Sequence, residues 1–114
     1  NYDIYGAAAQ EYARVVPRTA IDTPTYKKEV LISHEDTPCF GENRHTLQEG
    51  GGFVMDYAPS VYICLEGEAF IAGEGYEKSI RRGDYFYLPY AAEGKFTVTA
   101  QKRAVLIECL PSKQ

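Results

Sequence analysis

Two short stretches decide the fold: LEGEAFI at residues 65–71 and RGDYFYLP at residues 82–89. Each contains a glycine, Gly67 or Gly83, at a point where the chain must reverse, and glycine permits such a tight reversal. Pro89 cannot donate a hydrogen bond to a strand ladder, so it ends the second stretch. The spacing between the two glycines suits one hairpin. The two stretches therefore predict linked pairs of β-strands.

The surrounding sequence repeats this pattern of short apolar or alternating runs cut by turn residues, which is typical of an antiparallel sandwich or barrel. Ten tyrosines and five phenylalanines favour pleated, half-buried surfaces over long helices. The sequence therefore predicts an all-β domain. Its predicted strands cover residues 28–33, 39–47, 52–57, 61–66, 68–72, 76–80, 85–88, 95–100 and 104–109.

The N-terminal region has a different pattern. Apolar residues at helical spacing predict a short helix over residues 4–15, and residues 16–25, with two prolines and no apolar period, predict an extended connector. We expect 1–25 to be a connector from a missing N-terminal part and 26–114 to form one barrel domain. The only methionine is Met55, so a fragment or a processed chain is expected, and a natural stand-alone protein stays open.

Charge and composition exclude several classes of partner. A net charge of −4, with no basic block longer than a pair, disfavours binding to nucleic acid or anionic lipid. No run approaches the length of a membrane span. Cys39, Cys64 and Cys109 have no close-paired spacing, and the last two lie in apolar runs, where cysteine acts as a small hydrophobe. A reducing cytoplasm is the predicted location.

The ordered pair of stretches resembles the two linked halves of a cupin core, which implies a cupin-type jelly-roll barrel. Within the cupins, the stretches PCFGENRH at 38–45 and SVYICLEG at 60–67 are similar to the C-terminal barrel of class I mannose-6-phosphate isomerases. The resemblance covers about residues 25–110. It implies a parent enzyme that interconverts mannose 6-phosphate and fructose 6-phosphate at a zinc site, whose ligands lie in an N-terminal cupin absent from this chain.

Many cupins also bind a metal in the barrel through a histidine pair, a glutamate and a last histidine. The resemblance places these positions at Val54 with Asp56 or Phe53 with Met55, at Ser60 and at Gly94. Only Asp56 can ligate a metal there, and one carboxylate does not replace a set of three or four ligands. The sequence therefore predicts no metal and no cofactor in this barrel.

Five residues form the predicted ligand pocket: Arg44, His45, Asp56, Tyr62 and Tyr87. An arginine suits a sugar phosphate because its guanidinium binds phosphate through two hydrogen bonds, and tyrosines can stack on a sugar. A structural role for His45 is favoured, since strand parity provides no convergent second ligand. An unrelated site joining His34 and His45 to Cys39, Glu35 or Glu42 is disfavoured, with His34 in a solvated loop. No catalytic residue is predicted.

The strand around residues 60–66 has two competing orientations. The cupin register directs Ser60, Tyr62 and Cys64 into the barrel. Hydrophobicity alone favours Val61, Ile63 and Leu65 instead. Both faces of this strand are therefore expected to be buried.

Two functions follow as hypotheses. The first is a non-catalytic domain that supports the zinc-bearing domain of a mannose-6-phosphate isomerase, its partner being the missing N-terminal part of the same protein. The second is a free-standing cupin that binds a sugar or sugar phosphate without chemistry. An epimerase-type cupin is disfavoured, because no histidine occupies the barrel positions such chemistry uses. The oligomeric state stays open.

Overall fold

A computed structural model describes residues 18–31 and 39–111, and all structural statements concern those residues. The predicted helix over 4–15 and the loop with His34 and Glu35 lie outside this range. The prediction of an all-β fold is confirmed. The strands are β1 Arg18–Asp22, β2 Tyr26–Leu31, β3 Cys39–Leu47, β4 Gly52–Val54, β5 Ser60–Glu66, β6 Glu68–Gly73, β7 Tyr76–Arg81, β8 Tyr85–Leu88, β9 Phe96–Ala100 and β10 Ala104–Pro111, with a 3-10 helix at Tyr90–Ala92.

The strands form two antiparallel sheets. The larger has the order β1-β2-β3-β10-β5-β8 and the smaller the order β4-β9-β6-β7. The main core lies between them, where Tyr62 and Leu106 of the larger sheet share one buried cluster with Ile71 and Val98 of the smaller. We call the side of the six-stranded sheet that carries these core residues the inner face and the opposite side the outer face. No helix in the described part of the chain is long and apolar enough to span a membrane.

The two glycine turns have the predicted backbone conformation. Gly67, between β5 and β6, has φ +78°, and Gly83, between β7 and β8, has φ +95°. Both values lie in the left-handed region that favours glycine. A Cβ atom at Gly67 would also overlap the backbone carbonyl of Arg103. The β6–β7 hairpin joins the two turns, as the spacing predicts.

The β5 strand shows which of the two orientations is right. Tyr62 and Cys64 belong to the main core on the inner face, in agreement with the cupin register. Val61 and Ile63 form a separate buried cluster on the outer face, so the orientation favoured by hydrophobicity alone is wrong. Both faces are nevertheless buried, as expected.

The two largest differences from the predicted strands are at β1 and β4. Residues 18–22, within the predicted connector, form strand β1 and pair with β2 at the edge of the larger sheet. This pairing is a tertiary effect that local propensity does not reveal. Strand β4 ends at Val54 rather than at residue 57, and the buried Met55 follows it. The domain boundary near Thr25 stays a prediction.

Two of the three cysteines are paired. Cys39 and Cys109, 70 residues apart, form a disulfide on the outer face. The prediction that Cys109 acts as a simple hydrophobe is therefore wrong, because β3 and β10 are neighbours in the sheet. Cys64 is a free, buried thiol in the main core, as predicted, and burial raises its pKa to about 11. The cytoplasmic location stays a prediction.

Candidate ligand-binding site

A single carboxylate lies in the middle of the most apolar strand. Strand β10 reads AVLIECLP, and Glu108 is its only charged residue. In the register of the sheet, Glu108 is opposite Asn43 of β3 on one side and Tyr62 of β5 on the other. Side chains that are paired across strands project from the same face. The fold therefore gathers polar groups from three strands around this carboxylate on the inner face.

Hydrogen bonds join these groups into one network. His45 Nε2 donates to Glu108 Oε1 over 2.7 Å, and Asn43 Nδ2 donates to the same oxygen over 3.2 Å. The hydroxyl of Tyr26 on β2 lies 2.7 Å from His45 Nδ1. We call Tyr26, Asn43, His45, Tyr62 and Glu108 the inner cluster.

The network defines the role of each ring nitrogen of His45. With Nε2 donating to Glu108, a neutral imidazole accepts the Tyr26 hydroxyl hydrogen at Nδ1. The imidazole also stacks on Phe53, with ring centroids 4.1 Å apart and planes inclined by 8°. Both nitrogens and one ring face of His45 are therefore engaged.

The charges in the inner cluster follow from burial and from these contacts. Burial by itself would raise the pKa of Glu108, but hydrogen bonds from His45 and Asn43 lower it below the usual value. Burial, and then the charge of Glu108, raise the pKa values of Tyr26 and Tyr62 above their ordinary range. Glu108 is therefore the anion of the cluster, and the two tyrosines stay protonated donors.

One oxygen of Glu108 remains without a hydrogen bond. Glu108 is only 2% exposed, and its Oε2 has no hydrogen-bond partner among the described residues. A buried carboxylate oxygen without a donor is costly, because it has lost water and gained nothing in return. The inner cluster therefore presents an acceptor that a bound donor can satisfy.

The structure separates the five predicted pocket residues. His45 and Tyr62 lie together in the inner cluster. Asp56 is exposed beyond β4, and its charge acts on Tyr26 and Tyr62. Arg44 lies on the outer face, where its Nε donates to Glu29 Oε1 over 2.8 Å. Tyr87 also projects from the outer face and is 56% exposed.

Sequence reasoning missed Tyr26, Asn43 and Glu108. His45 has a convergent partner after all, but Glu108 lies 63 residues further along the chain, so parity within one strand cannot reveal it. A usable signal was present nevertheless. A lone glutamate inside an apolar strand has to be paired when it is buried, and that requirement identifies Glu108 as a site residue.

The donor set inside the barrel does not fit the metal that many cupins bind. The positions that the resemblance assigns to the ligands hold Val54 with Asp56 or Phe53 with Met55, then Ser60 and Gly94. The Ser60 hydroxyl donates to the Tyr57 carbonyl over 2.8 Å. Within residues 18–31 and 39–111, three closely spaced histidine, cysteine, aspartate or glutamate donors occur only at Cys39, Glu42 and Cys109, outside the barrel.

Comparison with solved structures identifies the architecture. A cupin superfamily protein from Desulfitobacterium hafniense matches with a TM-score of 0.63 at 12% identity, covering 82% of this chain and 84% of that chain. The fold is that of a cupin. An RmlC-like cupin from Shewanella frigidimarina matches with a TM-score of 0.63 at 19% identity, covering 86% of each chain.

Ectoine synthase from P. lautus matches this cupin barrel with a TM-score of 0.58 at 24% identity, over 91% of this chain and 76% of that chain. No protein-family model and no curated protein matches the sequence. These likenesses concern the fold, and a shared fold does not by itself imply a shared function.

Proposed function

We propose that this cupin binds a small polyhydroxylated molecule, a sugar or sugar phosphate, at the inner cluster without transforming it. The observation that carries this proposal is the buried Glu108 Oε2, which has no hydrogen-bond partner among the described residues. A ligand hydroxyl can donate to this oxygen. A charge-assisted hydrogen bond of this kind is stronger than one between neutral groups.

The surroundings of Glu108 suit such a ligand. Phe53 is half-buried and offers aromatic surface, which can pack against the C–H face of a sugar ring. Tyr26, Asn43 and Phe53 are half-buried, whereas His45 and Glu108 are fully buried. The ligand therefore approaches from the side where the half-buried residues lie.

A cation for a phosphate group is also available on this face. Lys28 is opposite His45 in the register of β2 and β3, so its side chain projects from the inner face. Arg44, the candidate favoured by the sequence, projects from the outer face and is paired with Glu29. If the ligand carries a phosphate, Lys28 is the residue proposed to bind it.

His45 is not free to act as a general base. A general base needs an accessible lone pair. The Nδ1 lone pair of His45 accepts from Tyr26, and its Nε2 hydrogen goes to Glu108. The imidazole is therefore occupied in holding the network, which supports a binding role.

The test is isothermal titration calorimetry with mannose, mannose 6-phosphate, fructose 6-phosphate and inorganic phosphate. Two substitutions remove the same hydroxyl from opposite faces: Tyr62→Phe in the inner cluster and Tyr87→Phe outside it. We expect Tyr62→Phe to weaken binding and Tyr87→Phe to leave it unchanged. Glu108→Gln should weaken it more, by about tenfold or beyond, because a hydrogen bond to a charged group is lost. No binding of any of the four compounds, or equal effects of the two tyrosine variants, would refute the site.

We also propose, as a more specific function, that the chain is the C-terminal domain of a class I mannose-6-phosphate isomerase. The support is the resemblance in the 38–45 and 60–67 stretches, together with glycine reversals at Gly67 and Gly83 joined by a hairpin. On this proposal the chain supports a separate N-terminal domain, and zinc belongs to that domain. Sequence upstream of Asn1 that encodes a zinc cupin would establish the assignment, and an unrelated domain there would refute it.

This second proposal predicts that the chain alone does not isomerise mannose 6-phosphate, even with zinc supplied. Moving a proton between adjacent carbons needs a free base and a group that stabilises the enediolate. A coupled assay for fructose 6-phosphate should stay at the rate without enzyme. Turnover that scales with protein and disappears in His45→Ala would overturn the non-catalytic assignment.

A further inference from the structure

The outer face carries a second cluster of chemically active side chains, built by the register of β3 and β10. Cys109 is opposite Glu42, so the two project together. A shift in register between Leu110 and Pro111 brings Cys39 to the same side. Without that bulge, Cys39 would share the inner face with Gly41 and Asn43, because alternate residues of a strand point the same way. We call Cys39, Glu42 and Cys109 the outer cluster.

The outer cluster has the composition and spacing of a metal site. One donor atom from each residue, two sulfurs and a carboxylate oxygen, lies within 4.8 Å of the others. All three side chains are buried. Two thiolates and a carboxylate are ligands of zinc and of similar thiophilic divalent ions.

A second observation points to a missing ligand. Glu42 Oε1 is buried and has no hydrogen-bond partner among the described residues. While the two sulfurs are bonded to each other, neither carries a hydrogen to donate to Glu42. Within the part of the chain that the structure describes, no donor therefore satisfies this carboxylate oxygen.

We propose that the reduced protein binds one zinc-class divalent cation through Cys39, Cys109 and Glu42, and that oxidation of the two thiolates expels it. A dithiol reduces the Sγ–Sγ bond by thiol–disulfide exchange and is itself oxidised to a disulfide, which leaves Cys39 and Cys109 as two thiols. The ion then displaces both thiol protons. Hydrogen peroxide reverses the change. The two thiolates give two electrons to its O–O bond, two protons from solvent complete two water molecules, and the disulfide re-forms as the ion leaves.

The backbone already fits the bound form. The Cα atoms of the two cysteines are 5.4 Å apart. In a tetrahedral site with metal–sulfur bonds of about 2.3 Å, the sulfurs lie about 3.8 Å apart, which needs only rotation of the cysteine side chains. Water takes the remaining coordination position.

The charge of the site is also balanced locally. Two thiolates, one carboxylate and a divalent ion sum to −1. On the same outer face, Arg44 donates to Glu29 over 2.8 Å, and Lys27 Nζ lies 3.6 Å from the same carboxylate. These three side chains sum to +1, and Arg44 is two residues from Glu42 along β3.

This proposal is independent of the proposed ligand-binding function. The outer cluster and the inner cluster lie on opposite faces of the sheet. Loss of sugar binding would leave the metal site untouched, and failure to bind metal would leave the sugar site untouched.

The test compares two redox forms of the wild-type protein. One sample is reduced with a phosphine and desalted without oxygen, and the other is left oxidised. Both are titrated with Co²⁺ and then with Zn²⁺. In the reduced form we expect one equivalent of Co²⁺ to give thiolate-to-cobalt charge-transfer absorption, which Zn²⁺ abolishes. Hydrogen peroxide should then release one equivalent of zinc to a chromogenic chelator. The oxidised form should show none of this.

Variants assign the ligands. Cys109→Ser should reduce the thiolate absorption to that of at most one sulfur ligand. Glu42→Gln should weaken zinc binding by at least about tenfold, the scale of losing even a supporting contact at a metal site. Cys64→Ala removes a thiol outside the cluster and should bind normally. Should Cys109→Ser fail to fold, the comparison of the two wild-type forms still decides.

Three results would overturn the proposal. They are no thiolate–cobalt absorption in the reduced wild type, loss of binding in Cys64→Ala, and binding that occurs only after the β-sheet circular dichroism has disappeared.

Discussion

Two buried glutamates in neighbouring strands have opposite environments. Glu42 and Glu108 are each 2% exposed, and they lie one register step apart on β3 and β10. Glu108 faces inward, where hydrogen bonds from His45 and Asn43 offset burial and its pKa falls. Glu42 faces outward beside sulfur and aliphatic groups, and burial raises its pKa to about 7.

The difference shows that burial does not by itself determine the charge of a carboxyl group. The same degree of burial supports an anion where three strands supply donors and favours a neutral acid where they do not. Alternation along the strands places the two cases side by side. The environment of each glutamate can therefore be altered by substitutions on its own face of the sheet, without changing the other.

The largest expected effect comes from removing the partner of Glu108. His45→Ala leaves a buried carboxylate without its main donor, which should lower the free energy of unfolding by about 3–5 kcal/mol. Urea denaturation at pH 7 measures the loss. The double variant His45→Ala with Glu108→Leu should recover most of it. A loss below about 1 kcal/mol would show that the network does not hold Glu108 in its ionised form.

Opening the Cys39–Cys109 disulfide comes next. Because the bond closes a loop of 70 residues, its removal should cost about 4 kcal/mol through the greater freedom of the unfolded chain. Urea denaturation with and without reductant, in the absence of metal, gives the difference. Reductant should have no effect on Cys39→Ser. Equal stabilities of the reduced and oxidised wild type would contradict the prediction.

Substitution of Glu42 should stabilise the oxidised protein at high pH. Its folded pKa of about 7 exceeds the ordinary 4.5. The contribution of Glu42 to stability is therefore fully present below pH 4.5 and is lost as the pH rises through 7. Above that range Glu42→Gln should be more stable than wild type by about 3 kcal/mol. At pH 4 the two should agree.

Denaturation at a series of pH values tests the contrast between the two faces. For Glu108 the sign is reversed: its lowered pKa means that stability is present above the usual pKa of a glutamate and is lost as the pH falls. In a plot of the free energy of unfolding against pH, Glu108→Gln should therefore reduce the slope in the acid range. Glu42→Gln should reduce the slope near neutral pH. If both variants changed the stability in the same pH range, the environments of the two glutamates would not be distinct.

The smallest effect, at Gly83, provides a reference. Gly83→Val places a β-branched residue at φ +95°, which should cost about 1–3 kcal/mol. Because the change introduces no titratable group, the loss should be the same at every pH. A denaturation midpoint equal to that of wild type would contradict the strained turn.

The sequence predicted local features better than distant ones. The turns at Gly67 and Gly83 depend on one residue and its neighbours, and the bounds of β3 and β8 match the prediction. Strand β1 was missed because its evidence is pairing with β2. The site was found in part. His45 and Tyr62 were predicted as pocket residues. Their proximity to Glu108 depends on which strands are neighbours in the sheet, and the local sequence does not reveal that.

The order of the strands affects how the protein emerges during synthesis. Strand β10 lies between β3 and β5, although both are made before it. Until β10 leaves the ribosome, β3 and β5 each have an exposed edge, and such edges favour pairing with other chains. Because Glu108 and Cys109 both lie on β10, a nascent chain without this strand has neither cluster. The arrival of β10 therefore closes the sheet and completes both clusters in a single late step.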